Sequence, residues 1–158
     1  MDNLADRAAI SDTVLAYATG VDRRDWNLYS SIFTDPFESD FSSWSGRAPG
    51  SMSVNLWVEA VRSGLSGFDA THHTSSNHVH TFHSDDEATC VSYMTAQHVI
   101  DGNWCTLGGY YTNTLVRTDE RWKICRCQLT VTWSTGDRSV FDVARRRWQA
   151  TQGRQAGQ

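Results

Sequence analysis

The sequence predicts an α+β domain in which helices come first and a curved antiparallel sheet follows. Two observations carry this. Apolar residues recur every three or four positions up to about residue 65, then every second position from about residue 72 to 134. The chain of 158 residues has only 2 prolines to break such runs.

Residues 3–21 read as the first helix, because Ile10, Val14, Tyr17 and Val21 make one apolar stripe and Gly20 stands near its end. A shorter helix over 25–33 has Asp25 as N-cap, with Trp26, Tyr29 and Phe33 on one face, and Pro36 closes it. Residues 37–44 fit a strand and 45–50 a loop. A third helix over 53–65 is capped by Ser53 and carries Val54, Trp57 or Val58, Val61 and Leu65, with Gly64 and Gly67 at its end. Strands follow at 72–82, 88–101, 104–117 and 121–134. The turns between them hold Ser84-Asp85-Asp86, Asp101-Gly102-Asn103 and Thr118-Asp119-Glu120. A last helix over 139–149 completes a single domain over 1–150, and 151–158 read as a flexible tail. Three amphipathic helices must cover one face of the sheet. A bent sheet wrapped around a helix leaves a cone whose mouth suits a small apolar molecule.

Composition removes several function classes. Lys and Arg number 14 against 18 Asp and Glu, a net charge of −4, which argues against a nucleic-acid partner. No run approaches the ~20 apolar residues of a membrane span. The acidic start Met1-Asp2-Asn3-Leu4-Ala5-Asp6 lacks the plan of a secretory signal, so the default location is cytoplasmic. Cys90, Cys105, Cys125 and Cys127 show no metal-type pairing and read as reduced thiols.

Five of the six histidines fall within 72–83. On a regular strand His72, His78 and His80 share one face, and His73 and His83 share the other. No carboxylate or thiol stands at a supporting interval in the sequence, so we expect no bound metal. His73 shares its face with Ser75, Asn77 and Val79, whereas His98 lies among Met94, Ala96 and Ile100. Asp22 directly follows the stripe ending in Val21, and the phenol of Tyr17 needs a partner if buried. In the last two strands, Cys125, Cys127, Leu129, Val131 and Trp133 form one row. Asn113 stands between Tyr111 and Leu115 as a polar group on an apolar row. Each of these polar residues reads either as a satisfied structural group or as a ligand contact.

Several strings, in this order, resemble the SnoaL-like members of the nuclear transport factor two-like superfamily. They are Leu4 to Ile10, Tyr17 through Asp22-Arg23-Arg24-Asp25-Trp26, Phe33-Thr34-Asp35 and His72-His73 with Asn77. Ala96-Gln97-His98, Gly108-Gly109-Tyr110-Tyr111 and Leu115 to Asp119 running into Trp122 follow. The resemblance covers about 3–135 and implies the cone-shaped α+β barrel. Its members include scytalone dehydratase, hexachlorocyclohexane dehydrochlorinase, bile-acid dehydratases, ketosteroid isomerase and polyketide cyclases.

In the dehydratase and dehydrochlorinase branch an aspartate after the first helix pairs with a histidine after the third, which here are Asp22 and His73. The resemblance implies a lyase that uses no cofactor and dehydrates a hydrophobic small molecule such as a polyketide, terpenoid or steroid-like intermediate. His73 would be the base, Asp22 its orienting partner, and Tyr17 and His98 would polarise or protonate the oxygen. Trp26, Met94, Tyr111, Asn113, Cys127, Leu129 and Val131 would contact substrate. An isomerase or cyclase using the same pair, or a binding module without catalysis, are the alternatives. A homo-oligomer built through the outer sheet face is also implied. Two departures stand out. The arginine of the dehydrochlorinase's last inner row is replaced here by Cys127, and the lysine of its first helix by Tyr17. Both cations that would draw off a halide are therefore missing.

Overall fold

The computed structural model describes residues 4–119 and 121–155. The expected first helix residue, position 3, the turn residue Glu120, and residues 156–158 of the tail expected over 151–158 lie outside the described residues. Helix α1 spans Leu4–Arg23 and α2 Trp26–Ser31. Strand β1 (Phe33–Asp40), the short helix α3 (Ser42–Ser45) and strand β2 (Gly50–Met52) precede α4 (Val54–Leu65). Strands β3 (Ala70–Phe82), β4 (Glu87–Ile100), β5 (Asn103–Thr118) and β6 (Arg121–Gly136) then lead to α5 (Val140–Gln155). The expected caps are in place. Asp25 accepts from the Leu28 amide at 2.9 Å and Ser53 from the Leu56 amide at 3.4 Å.

The six strands form one curved, unclosed sheet in the order β2-β1-β6-β5-β4-β3. It is mixed rather than purely antiparallel, because β1 runs parallel to β6. Side chains pin that register: Arg126 donates to Glu38 at 3.0 Å and Gln128 to Asp40 at 2.9 Å. The expected strand over 37–44 thus begins four residues earlier. Phe33 and Phe37 turn into the core, and Asp40 ends the strand by accepting from the Ser42 amide and hydroxyl. At the other terminus α5 runs to Gln155, past the expected end at 149.

Bulges in β3 and β6 break the two-residue alternation of those strands, and each moves side chains to the opposite face. In β3 the register slips between Ser76 and Val79, where Asn77 adopts a left-handed φ of 54°. His78 and His80 therefore share the inner face with His73 and Ser75, while His72 and Val79 point outward. This corrects the expected grouping of His72 with His78 and His80. In β6 a slip opposite Thr114 and Leu115 leaves Cys125 in the bulge, with Ile124 and Cys127 inside. A second slip, opposite Gly108 and Gly109, turns Trp133 outward, to 49% exposure, over Gly108. Cys125 and Trp133 thus leave the inner row on which simple alternation places them.

Helix α1 lies across the concave face against β3 and β6, and α5 packs on α4, β4 and β5. Ile10, Val14 and Val21 of α1 are buried, as the stripe requires. Two close approaches need glycine. An added Cβ at Gly20 would lie 2.9 Å from the Tyr29 Cβ, so glycine lets α2 press onto α1 and seats Tyr29 beside Tyr17. At Gly67 a Cβ would lie 1.9 Å from the Ala144 carbonyl oxygen, so glycine lets α5 dock beside the end of α4. Among the described residues no helix is long and apolar enough to cross a membrane.

Candidate active site

The sheet and helices enclose a cavity of about 180 Å³. Its walls come from Tyr17 of α1, His73 of β3, Met94, Ala96 and His98 of β4, Leu107 and Tyr111 of β5, and Leu129 of β6. Aromatic residues Phe41, Trp44, Trp57 and Phe141 add to the wall, and Arg145 of α5 also lines it. A narrow recess of about 20 Å³ continues past His73 to Val14, Ala18, Ser75 and Asn113.

Asp22 sits in the last turn of α1 and meets His73 across the gap to β3. Asp22 Oδ1 lies 2.7 Å from His73 Nδ1, and its Oδ2 accepts from the His73 amide at 2.7 Å. Thr71 donates its hydroxyl to Oδ1 at 2.9 Å and accepts from Arg24 at 2.8 Å. Arg24 reaches back because its φ of 57° reverses the chain immediately after α1. Burial alone would raise the Asp22 carboxyl, but the bonds from the His73 ring, the His73 amide and Thr71 outweigh it and hold Asp22 below the usual carboxylate range. A carboxylate accepting at Nδ1 places the ring proton there and leaves Nε2 as the basic nitrogen. The side chains are 9% exposed for His73 and 21% for Asp22, so little water reaches the pair.

Three phenols form a second polar group. The Tyr17 hydroxyl shares hydrogen bonds with those of Tyr29 and Tyr111, and Trp57 Nε1 donates to the Tyr29 hydroxyl at 2.9 Å. Burial pushes all three phenols well above their ordinary range, so they stay protonated and act as donors. Tyr17 and Tyr111 line the cavity. Tyr29 is fully buried behind them. Tyr17 and Tyr111 are recognisable in the sequence as site candidates, whereas Tyr29 and Trp57 are not. Both sit on apolar stripes, and only the need of a buried hydroxyl for a partner hints at a polar role.

His98 is 2% exposed, with ring centroids 5.2 Å from Phe68, 5.4 Å from His73 and 4.7 Å from Phe141. Burial, helped by the neighbouring His73, pushes its pKa down to about 3. A hydrogen bond with the Cys105 backbone leaves Nδ1 without a partner. His98 is therefore a neutral imidazole with a free acceptor, and the expected role of proton donor to the oxygen does not suit it. Its titration sets an expected result. Unfolded His98 gains a proton near pH ~6.5, and the folded residue gains one only near 3. Between these values the unfolded state binds up to one more proton, so stability falls with acidification, by at most about 1.4 kcal/mol per pH unit. Denaturant midpoints measured between those limits should fall less steeply in a His98→Gln variant.

The remaining expected contacts divide. Met94, Tyr111 and Leu129 line the main cavity, and Asn113 lines the recess with its Oδ1 unpaired. Trp26 does not reach the cavity. It packs edge-on against Tyr29 at 6.1 Å, so that ring stands between it and the interior. Cys127 is fully buried behind the wall, where burial pushes its thiol up, and Val131 packs beside the core at the edge without lining the cavity. Residues that only folding brings here include Phe141 and Arg145, distant in sequence from every other wall.

The β3 bulge also brings together His78, His80 and Cys90, whose ligating atoms lie within 4.8 Å of one another. Cys90 is the register partner of His80, so a thiol does stand at a supporting position that sequence intervals did not show. All four ring nitrogens have protein contacts. Ser11 Oγ lies 3.0 Å from His78 Nδ1 and 2.9 Å from His80 Nε2, Ser75 Oγ 2.9 Å from His78 Nε2, and Arg7 Nη1 3.5 Å from His80 Nδ1. Burial raises the Cys90 thiol to about 11. The cluster is a hydrogen-bonded hub around Ser11, and an ion could enter only by displacing those bonds beside a guanidinium.

The family model of the SnoaL-like domain matches residues 2–128, and the chain belongs to that family. The Kfla4162 protein from Kribbella flavida is 30% identical with a TM-score of 0.80, over 85% of this chain and 95% of that one. A scytalone-dehydratase-like protein from Novosphingobium aromaticivorans is 24% identical with a TM-score of 0.75, over 85% and 89%. A hexachlorocyclohexane dehydrochlorinase, LinA type 2, is 23% identical with a TM-score of 0.74, over 85% and 90%. These likenesses place the chain in the cone-shaped nuclear transport factor two-like fold. No curated protein matches the chain.

Proposed function

We propose that the protein is a lyase of dehydratase type that works without a cofactor on a hydrophobic small molecule, with His73 as base and Asp22 as its partner. The observation that carries this reading is the 2.7 Å contact between Asp22 and His73 at the wall of an apolar cavity. The dehydratase and dehydrochlorinase names among the structural neighbours point the same way.

His73 Nε2 takes a proton from the carbon next to the one bearing the hydroxyl. The C–H pair becomes the new C=C bond, and the C–O bond breaks with its electrons on oxygen. The proton on Nε2 passes to the departing hydroxide, so water leaves and the imidazole is neutral again. Asp22 stabilises the transient imidazolium, and the low exposure of the pair strengthens that interaction. Two of the three phenol protons make the bonds within the trio, so one hydroxyl, of Tyr17 or Tyr111, is left to donate to the substrate oxygen. Among the described residues no cation stands on the inner row of β6 to draw off a halide. Cys127 occupies that place, and Arg126 is held by Glu38.

The test is mass spectrometry of the compound that co-purifies in the cavity, before and after incubation with fresh protein. A product lighter by one water supports the proposal. A product of unchanged mass makes the protein an isomerase or cyclase. A ligand returned unaltered makes it a binding module.

A further inference from the structure

The cavity shares part of its wall with a second, outer space. Trp44, Phe141 and Arg145 line both, and this outer cleft of about 530 Å³ also holds Arg47, Arg138 and Asp142. Three guanidiniums thus face one carboxylate, in a protein whose net charge is −4. The single acid is a weak counterweight. Asp142 lies 3.6 Å from Arg145, one turn apart on α5, and both side chains are more than half exposed, at 66% and 54%. The next acid along the chain, Asp137, is already bound to the Ser139 amide and hydroxyl at 2.8 and 2.9 Å.

Arg138 is held in place, with its guanidinium 3.8 Å above the Trp44 ring and a bond to the Trp44 carbonyl. Arg145 follows Phe141 by one helical turn, so one face of α5 presents a ring to the cavity and a cation at its rim. A wall of apolar side chains with a cationic rim matches a ligand with an apolar body and one anionic end.

We infer that Arg47, Arg138 and Arg145 form an oxyanion-binding rim, and that the substrate carries a carboxylate or phosphate at the end pointing out of the cone. The inference takes from the proposed function only that the cavity is the substrate site. The rim sets which molecules enter and how far they go in, and the chemistry stays at His73. Guanidinium pairs with such groups through two parallel hydrogen bonds, which fixes the ligand's orientation as well as its affinity.

Two dyes of the same body test this: anilinonaphthalene sulfonate, which is anionic, and phenylnaphthylamine, which is not. Fluorescence titration compares wild type with an Arg47→Gln, Arg145→Gln double variant. The double variant should bind the sulfonate about tenfold more weakly and the neutral dye unchanged, and the difference should shrink as salt is added. The neutral dye reports that the cavity is intact, and an Arg146→Gln variant, on the same helix outside the cleft, should behave as wild type. Loss of both dyes together, loss of neither, or an equal effect of Arg146→Gln overturns the rim. Naphthoate and naphthyl phosphate as competitors of the sulfonate then tell which anion the rim prefers, and failure of both to compete also overturns it. A failed rim with a dead His73→Ala enzyme, or the reverse, separates this inference from the assignment of the base.

Discussion

Replacing His73 with alanine is expected to cut turnover by about 10²–10⁴-fold, the usual contribution of a positioned acid–base group. Folding and ligand binding should persist, because the Asp22 carboxylate keeps its bonds from the residue-73 amide and from Thr71. The loss should fall on kcat and leave KM nearly unchanged, since the imidazole acts on the reacting hydrogen and contributes one wall among many to binding. Circular dichroism and the neutral-dye titration check the fold and the cavity. A variant that keeps full turnover removes His73 from the reaction.

Asp22→Asn should cost about 10²-fold or more with little change in shape. The carboxylate only accepts, so it keeps the His73 proton on Nδ1. An amide can donate to Nδ1, which shifts the proton to Nε2 and removes the base. The same change should cost stability, because the native oxygens accept from the His73 ring, the His73 amide and Thr71. The sign of the pH effect follows from the depressed carboxyl of Asp22. Its stabilising contribution is present above the ordinary carboxylate range and is lost as pH falls through the folded value. The asparagine variant should lose that acid sensitivity, which denaturant midpoints on the acid side would show.

Much of this architecture is legible from local rules. The α1 stripe, the Asp25 and Ser53 caps and the switch from a period of 3.6 to 2 all correspond to elements observed. What escapes depends on partners distant in the chain. The bulges at Asn77, Cys125 and near Gly108 exist because neighbouring strands pair out of step, and each reverses the faces that alternation assigns. The parallel pairing of β1 with β6 rests on contacts between Glu38 and Arg126 and between Asp40 and Gln128, 88 residues apart. The site divides in the same way. Asp22 is an unremarkable helix-end residue on spacing alone, and family likeness is what couples it to His73. Tyr29 and Trp57 hide in apolar stripes, and Arg145 looks like part of a basic run until α5 docks across the cone mouth.

The central claim is that Asp22 holds the His73 ring with its proton on Nδ1 and its basic nitrogen available to the cavity. Nitrogen-15 NMR of the histidine rings, at mildly alkaline pH and with His73 assigned by substitution, tests it without any substrate. The expected spectrum has a protonated Nδ1 whose hydrogen is shifted far downfield by the carboxylate, an unprotonated Nε2, and loss of that signal in Asp22→Asn. A His73 ring protonated on Nε2, or one whose spectrum does not respond to Asp22→Asn, would contradict it.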